Sequence, residues 1–110
     1  MNETIRFDIT IDCGADYETD FQFTEDDEIT LIDMTGWSVE AQLREFPESR
    51  DCLDFTCSAD TDGFHISMSG TDTAQIGYTL GFYDVFITDP YGNRTKLVKG
   101  RAFITPRTTR

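Results

Sequence analysis

The sequence predicts an all-β sandwich, a single domain over residues 1–110 built from seven or eight short, mostly antiparallel strands. Three observations predict it. Apolar residues recur at every second position in one segment after another, the period of a half-buried strand and not of a helix. Clusters of turn-forming residues separate those segments at the roughly 8–12-residue spacing of a sandwich. Nine Phe, four Tyr and one Trp supply the large side chains of a core. A chain of 110 residues buries roughly 65% of its unfolded surface, enough for one core and too little for two lobes around a deep cleft.

The elements follow in order. Ile5, Phe7, Ile9 and Ile11 alternate with Arg6, Asp8, Thr10 and Asp12, predicting a strand. Cys13-Gly14-Ala15-Asp16 turns the chain into a second strand with Tyr17, Thr19, Phe21 and Phe23 on one face. The acidic run Glu25-Asp26-Asp27-Glu28 reads as a loop, because adjacent like charges disfavour a packed element, and Ile29 to Leu31 as a short strand. Trp37, Val39, Ala41 and Leu43 alternate with Ser38, Glu40, Gln42 and Arg44 in the clearest strand of all, with Trp37 as the expected core anchor. Pro47 marks a turn. Leu53, Phe55 and Cys57 define one strand and Phe64, Ile66 and Met68 the next, joined by Ala59-Asp60-Thr61-Asp62-Gly63 as a hairpin. Thr71 to Tyr78 has room for one helical turn. Tyr83, Val85 and Ile87 then alternate with Asp84, Phe86 and Thr88, and Pro90-Tyr91-Gly92-Asn93 closes a hairpin onto Lys96 to Thr105, where an offset in the pattern places a bulge at Gly100.

Charge narrows the function classes. The chain has 9 Lys+Arg against 21 Asp+Glu, a formal charge of −12, which repels phosphate backbones and argues against nucleic-acid binding. The asymmetry is internal. Residues 1–62 hold 18 acids and only Arg6, Arg44 and Arg50, a balance of −15, whereas the remainder carries six bases against three acids and nets +3. Such polarity suits a subunit that meets its neighbours head to tail, acidic surface against basic strand. The apolar runs are far short of the roughly 20 residues that cross a bilayer, and Met1-Asn2-Glu3 lacks the features of a signal peptide, so neither a membrane span nor export by a cleaved leader is expected.

No chemistry is expected. Cys13, Cys52 and Cys57 form an odd set without a CxxC pair, read as reduced thiols; with the single His65 they do not make a zinc site. Any catalytic triad would run through His65, which by alternation faces solvent on a hairpin strand. Asp60-Thr61-Asp62-Gly63 begins like a calcium loop, but the twelfth position is Thr71 where such a loop needs Glu. The glycines are scattered and cradle no phosphate. Enzyme, metal and cofactor readings are therefore set aside.

Taken together, the ordered landmarks resemble a family of tailed-bacteriophage virion proteins, the baseplate upper proteins and the amino-terminal β-sandwich domains of tail-fibre-associated proteins. Ile32-Asp33-Met34-Thr35-Gly36-Trp37, running into the strand that ends at Arg44, is similar to the family's Leu-Thr-Gly segment and the alternating strand after it. The strand around Phe55, then Gly63 to Met68, Tyr83-Asp84-Val85 and the closing Lys96 to Ile104 with Gly100 follow in the family's order and cover nearly the whole chain. The resemblance implies an immunoglobulin-like or related sandwich with Trp37, Tyr83, Phe55, Gly36 and Gly100 as scaffold residues. It also implies a non-enzymatic virion protein of the tail, baseplate or fibre-attachment region, assembled in the host cytoplasm, whose partners are other virion proteins and further copies of itself. Under that reading Arg101, Arg107, Arg110 and Lys96 on the basic side, and Asp26 and Asp27 on the acidic side, are the candidate assembly contacts. Two alternatives stand beside it: a capsid decoration protein, and a carbohydrate- or ligand-binding module using Tyr78, Phe82, Phe86 or Tyr91 as stacking platforms.

Overall fold

The computed structural model describes residues 4–23 and 32–106, in which the alternating segments form nine strands in two sheets. The acidic run Glu25–Glu28, the expected strand Ile29–Leu31 and the terminal Arg107 and Arg110 lie outside the described residues. The strands are β1 (Ile5–Arg6), β2 (Ile9–Asp12), β3 (Tyr17–Phe21), β4 (Ser38–Arg44), β5 (Leu53–Asp54), β6 (Thr56–Asp60), β7 (Gly63–Met68), β8 (Leu80–Thr88) and β9 (Arg94–Thr105); one turn of helix, α1 (Gly70–Thr73), precedes β8. The larger sheet runs β1, β9, β8, β4, β5, with β2 continuing along the same side of β9, and the smaller runs β3, β7, β6. The all-β expectation holds.

Two of the expected strands are broken, which is why nine segments replace seven or eight. The first breaks at Phe7–Asp8. Ile5 pairs with Val98 and Ile9 with Ala102, the same parallel register on both sides of the break. Between them the Phe7 amide donates to the Lys99 carbonyl at 2.9 Å, while the Asp8 carboxylate, not its backbone, accepts from the Arg101 amide at 2.9 Å. Ile9 and Ile11 are buried as expected, but Ile5 and Phe7 are 40% and 47% exposed. The second break is Phe55, where the chain changes sheets: Leu53 pairs with Leu43 of β4 and Cys57 with Ile66 of β7. The Phe55 amide at the crossing donates to the Ala41 carbonyl at 2.9 Å.

The inner faces close one core. Phe64, Ile66 and Met68 from β7 meet Ile9, Ile11, Ala41, Leu43, Tyr83, Val85, Ile87, Leu97, Val98, Ala102 and Ile104 from the larger sheet. Phe55 and Tyr83 are buried as expected, and their rings stand edge to face at 6.4 Å. Trp37 departs from expectation. It sits just before β4, half-buried against the core, while the centre is held by Phe64, fully buried and stacked on Phe21 at 4.8 Å. Gly36 occupies the turn that delivers Trp37 with a φ of +86°, a conformation that favours glycine.

The bulge is displaced from its expected place. Val85 pairs with Val98 but Phe86 with Lys96, so Leu97 is the extra residue. Leu97 and Val98 can then both point inward, and the alternation of β9 reverses phase there. Gly100 stays in unbroken register opposite Tyr83. α1 is pinned to the turn after β2, because the buried Thr73 hydroxyl accepts from the Gly14 amide at 3.0 Å and donates to the Ala15 carbonyl at 2.8 Å.

Candidate functional site

Strand register assigns the outward residues of the larger sheet to rows. Arg101, Phe82 and Arg44 form one row across β9, β8 and β4. Arg6, Lys99, Asp84, Gln42 and Asp54 form the next, across β1, β9, β8, β4 and β5. Lys96, Phe86 and Glu40 follow. The first rows enclose a shallow basin of about 360 Å³, bordered by Arg6, Arg44, Lys96, Lys99 and Arg101 and by one carboxylate, Asp84. Five cations against one anion make the basin basic on a chain whose formal charge is −12, while Asp54 and Glu40 share the same outer face and Asp8 lies 3.8 Å from Arg6 at its rim.

Arg44 is held firmly. Its Nε donates to the Ser49 carbonyl at 3.0 Å, one Nη donates to Gln42 Oε1 at 2.6 Å and the other lies 4.0 Å from Asp84. Gln42 in turn donates to Asp54 at 3.0 Å, and Lys96 lies 3.8 Å from the second oxygen of Asp84. A guanidinium fixed in this way presents its remaining charge with little ordering cost when an anion arrives. Phe86 is covered by its own strand neighbours, with the Arg94 guanidinium 3.9 Å from the ring centre and the Lys96 ammonium at 5.4 Å. Lys99 and Arg101 make no ion pair among the described residues; the Arg101 contact to Asp8 is through its backbone amide.

The smaller sheet turns an acidic face outward. Glu18 and Asp20 of β3 and Asp60 of β6 are exposed around His65 of β7. His65 faces outward from β7, as the alternation expects, but its ring is engaged on both sides. It is half-buried, with Nδ1 at 2.7 Å from Asp20 and Nε2 at 2.9 Å from Asp60. Both ring nitrogens face carboxylates, so both carry protons in the best-paired state, the imidazolium. Hydrogen bonding to Asp20, and next to Asp60, raises the His65 pKa, whereas the Asp62 amide, and next His65, lower that of Asp60. Asp60 thus spends one oxygen on the Asp62 amide at 2.8 Å and the other on His65.

The sign of the pH effect follows. A raised imidazole pKa contributes stability that is complete below about pH 6.5 and disappears as pH climbs through the folded value. The lowered Asp60 pKa contributes above the ordinary carboxylate range and is lost as pH falls through its folded value. His65→Gln should therefore lower the melting temperature near pH 6 and much less at pH 9. A gap between variant and parent that stays constant across that range in thermal denaturation would remove the ionic role.

The remaining candidates are placed plainly. Lys96 and Arg101 come together at the basin; Asp26, Asp27, Arg107 and Arg110 lie outside the described residues. The aromatic residues proposed as stacking platforms are dispersed: Phe82 and Phe86 on the outer face of β8, Tyr78 half-buried beside Cys52, and Tyr91 91% exposed in the last hairpin. All three cysteines are free thiols, with burial pushing the Cys57 thiol up. Sequence reasoning missed Arg6, Arg44 and Lys99. Alternation already put Arg44 and Lys99 on outward positions, but only the register of β4, β8 and β9 brings them to one place. Comparison with family models and with curated proteins finds no match.

Proposed function

We propose that this protein is a non-enzymatic structural subunit of a tailed-phage virion, placed in the tail, baseplate or fibre-attachment region, that works through protein–protein assembly. The observation that carries the reading is the separation of a basic basin on the outer face of the larger sheet from an acidic patch on that of the smaller. A domain built this way engages neighbours by its faces, where charge complementarity sets register and partner choice. The ordered sequence landmarks supply the virion context. The strand order supports an immunoglobulin-like sandwich: β9, β8 and β4 take the places of strands G, F and C, β3, β7 and β6 those of B, E and D, and β5 that of C′.

Quantitative mass spectrometry of purified virus particles tests this directly. A few copies per particle relative to the major shell subunit is the expected result. A ratio near one per shell subunit would make the protein a capsid decoration subunit, and absence from particles would overturn the virion reading.

A further inference from the structure

On β9, Lys99 and Arg101 stand two residues apart on the outward face, about 7 Å along the strand. On β3, Glu18 and Asp20 stand two residues apart, both exposed, with the same spacing. Glu18 makes no ion pair among the described residues, and the Asp20 side chain keeps 66% of its surface exposed while meeting His65. β3 is also an edge of its sheet, so this pair of carboxylates lies at an accessible rim, with Asp60 as a third across β7. The two sets belong to opposite outer faces of one molecule and cannot meet within it.

Building on the assembly reading above, we infer that the basic face receives the acidic face of a second copy of this chain, Glu18 and Asp20 of one copy lying against Lys99 and Arg101 of the next. The contact is heterologous. Each copy that gives its acidic face keeps its basic face free, so the association closes into a ring if the rotation allows and extends as a filament if it does not. A polyanion such as nucleic acid or a sulfated polysaccharide meets the same net charge of −12 that a second copy meets; what favours the copy is the matched two-residue spacing of its Glu18 and Asp20 to that of Lys99 and Arg101.

Salt dependence carries the signature of such a contact. Two copies of this charge repel at long range, and at about 0.15 M salt a screening length of about 8 Å removes most of that repulsion while sparing groups in direct contact. Association should therefore be strongest near that ionic strength and weaker both below and above it.

The test is sedimentation velocity of the full chain up to about 1 mM protein, where contacts of millimolar strength become visible. The parent protein should grow beyond monomer with concentration. Lys99→Gln/Arg101→Gln and Glu18→Gln/Asp20→Asn should each remain monomeric, and a mixture of the two should form a 1:1 dimer that grows no further, since only one complementary contact survives. Glu18→Lys, which leaves both His65 partners intact, should weaken association at least tenfold, and thermal melts check that every variant is folded. A parent that stays monomeric, double variants that associate like the parent, or a mixture that stays monomeric would overturn the inference. So would binding of poly-glutamate to the basic face by a protein that does not self-associate, which points to a foreign acidic chain. Monomeric behaviour of a protein that is found in virus particles sinks this contact and leaves the assembly reading standing; self-association of a protein absent from particles does the reverse.

Discussion

Phe64→Ala should cost about 3–5 kcal/mol of folding stability, the range for removing a fully buried phenylalanine from a packed core. Phe64 has no exposed surface, stacks on Phe21 at 4.8 Å and on Phe23 at 5.9 Å, and belongs to the central strand of the three-stranded sheet. Removing its ring takes away the common partner of two other rings and leaves a void that a sheet cannot collapse to fill. Small domains have a total stability of about 5–15 kcal/mol, so the loss consumes a large share and brings part of the population to the unfolded state. Urea denaturation checks it, with an unchanged slope and a lower midpoint expected. Phe46→Ala is the contrast, because that ring is 55% exposed and its removal should stay within about 0.5 kcal/mol. A loss below about 1 kcal/mol for Phe64→Ala would contradict its place at the centre of the core.

How much of this was legible before any coordinates depends on range. The alternation in Ser38–Arg44 and Gly63–Met68 is local, set by which side chains meet the core on a pleated strand, and both strands appear where the period puts them. Breaks and bulges answer to partners distant in sequence. Phe55 looks like the middle of one strand because its neighbours alternate correctly, yet the chain changes sheets there, and only the positions of β4 and β7 reveal it. Leu97 and Val98 are adjacent apolar residues, a visible sign of an offset, but glycine at position 100 drew the bulge to the wrong place. The basic basin was half legible. Lys96 and Arg101 stood out as charges on the last strand, while Arg6 and Arg44 come from segments 38 residues apart and converge only through the sheet. Alternation puts His65 on the outward face, where it stands, but only strand pairing sets it between Asp20 and Asp60.

Gly100 has a different task from the one its type suggests, and its replacement by alanine is the sharpest test of how the first strand is held. A Cβ on Gly100 would come within 2.2 Å of the Phe7 carbonyl oxygen and 2.7 Å of the Phe7 carbonyl carbon, backbone atoms that cannot rotate away. The chain would have to lift Phe7–Asp8 from β9. Three hydrogen bonds go with it: Phe7 amide to the Lys99 carbonyl, Arg101 amide to the Asp8 carboxylate, and the buried Tyr83 hydroxyl to the Phe7 carbonyl. At about 1 kcal/mol for each bond and about 1–3 kcal/mol for overpacking, Gly100→Ala should cost about 4–6 kcal/mol, or release the first strand while the rest stays folded. The two outcomes separate in amide exchange. Global destabilisation speeds exchange throughout, whereas local release exposes the Phe7 and Arg101 amides and leaves β4 and β8 protected. Gly77→Ala is the matched control, since a Cβ there meets nothing within 4 Å. If both variants melt at the same temperature with the same exchange pattern, the close crossing of the first strand over Gly100 is wrong. If only Gly100→Ala suffers, the break at Phe7–Asp8 is a junction held by the fold: glycine lets the backbones approach, the Asp8 side chain takes over one strand bond, and Tyr83 ties the crossing to the core.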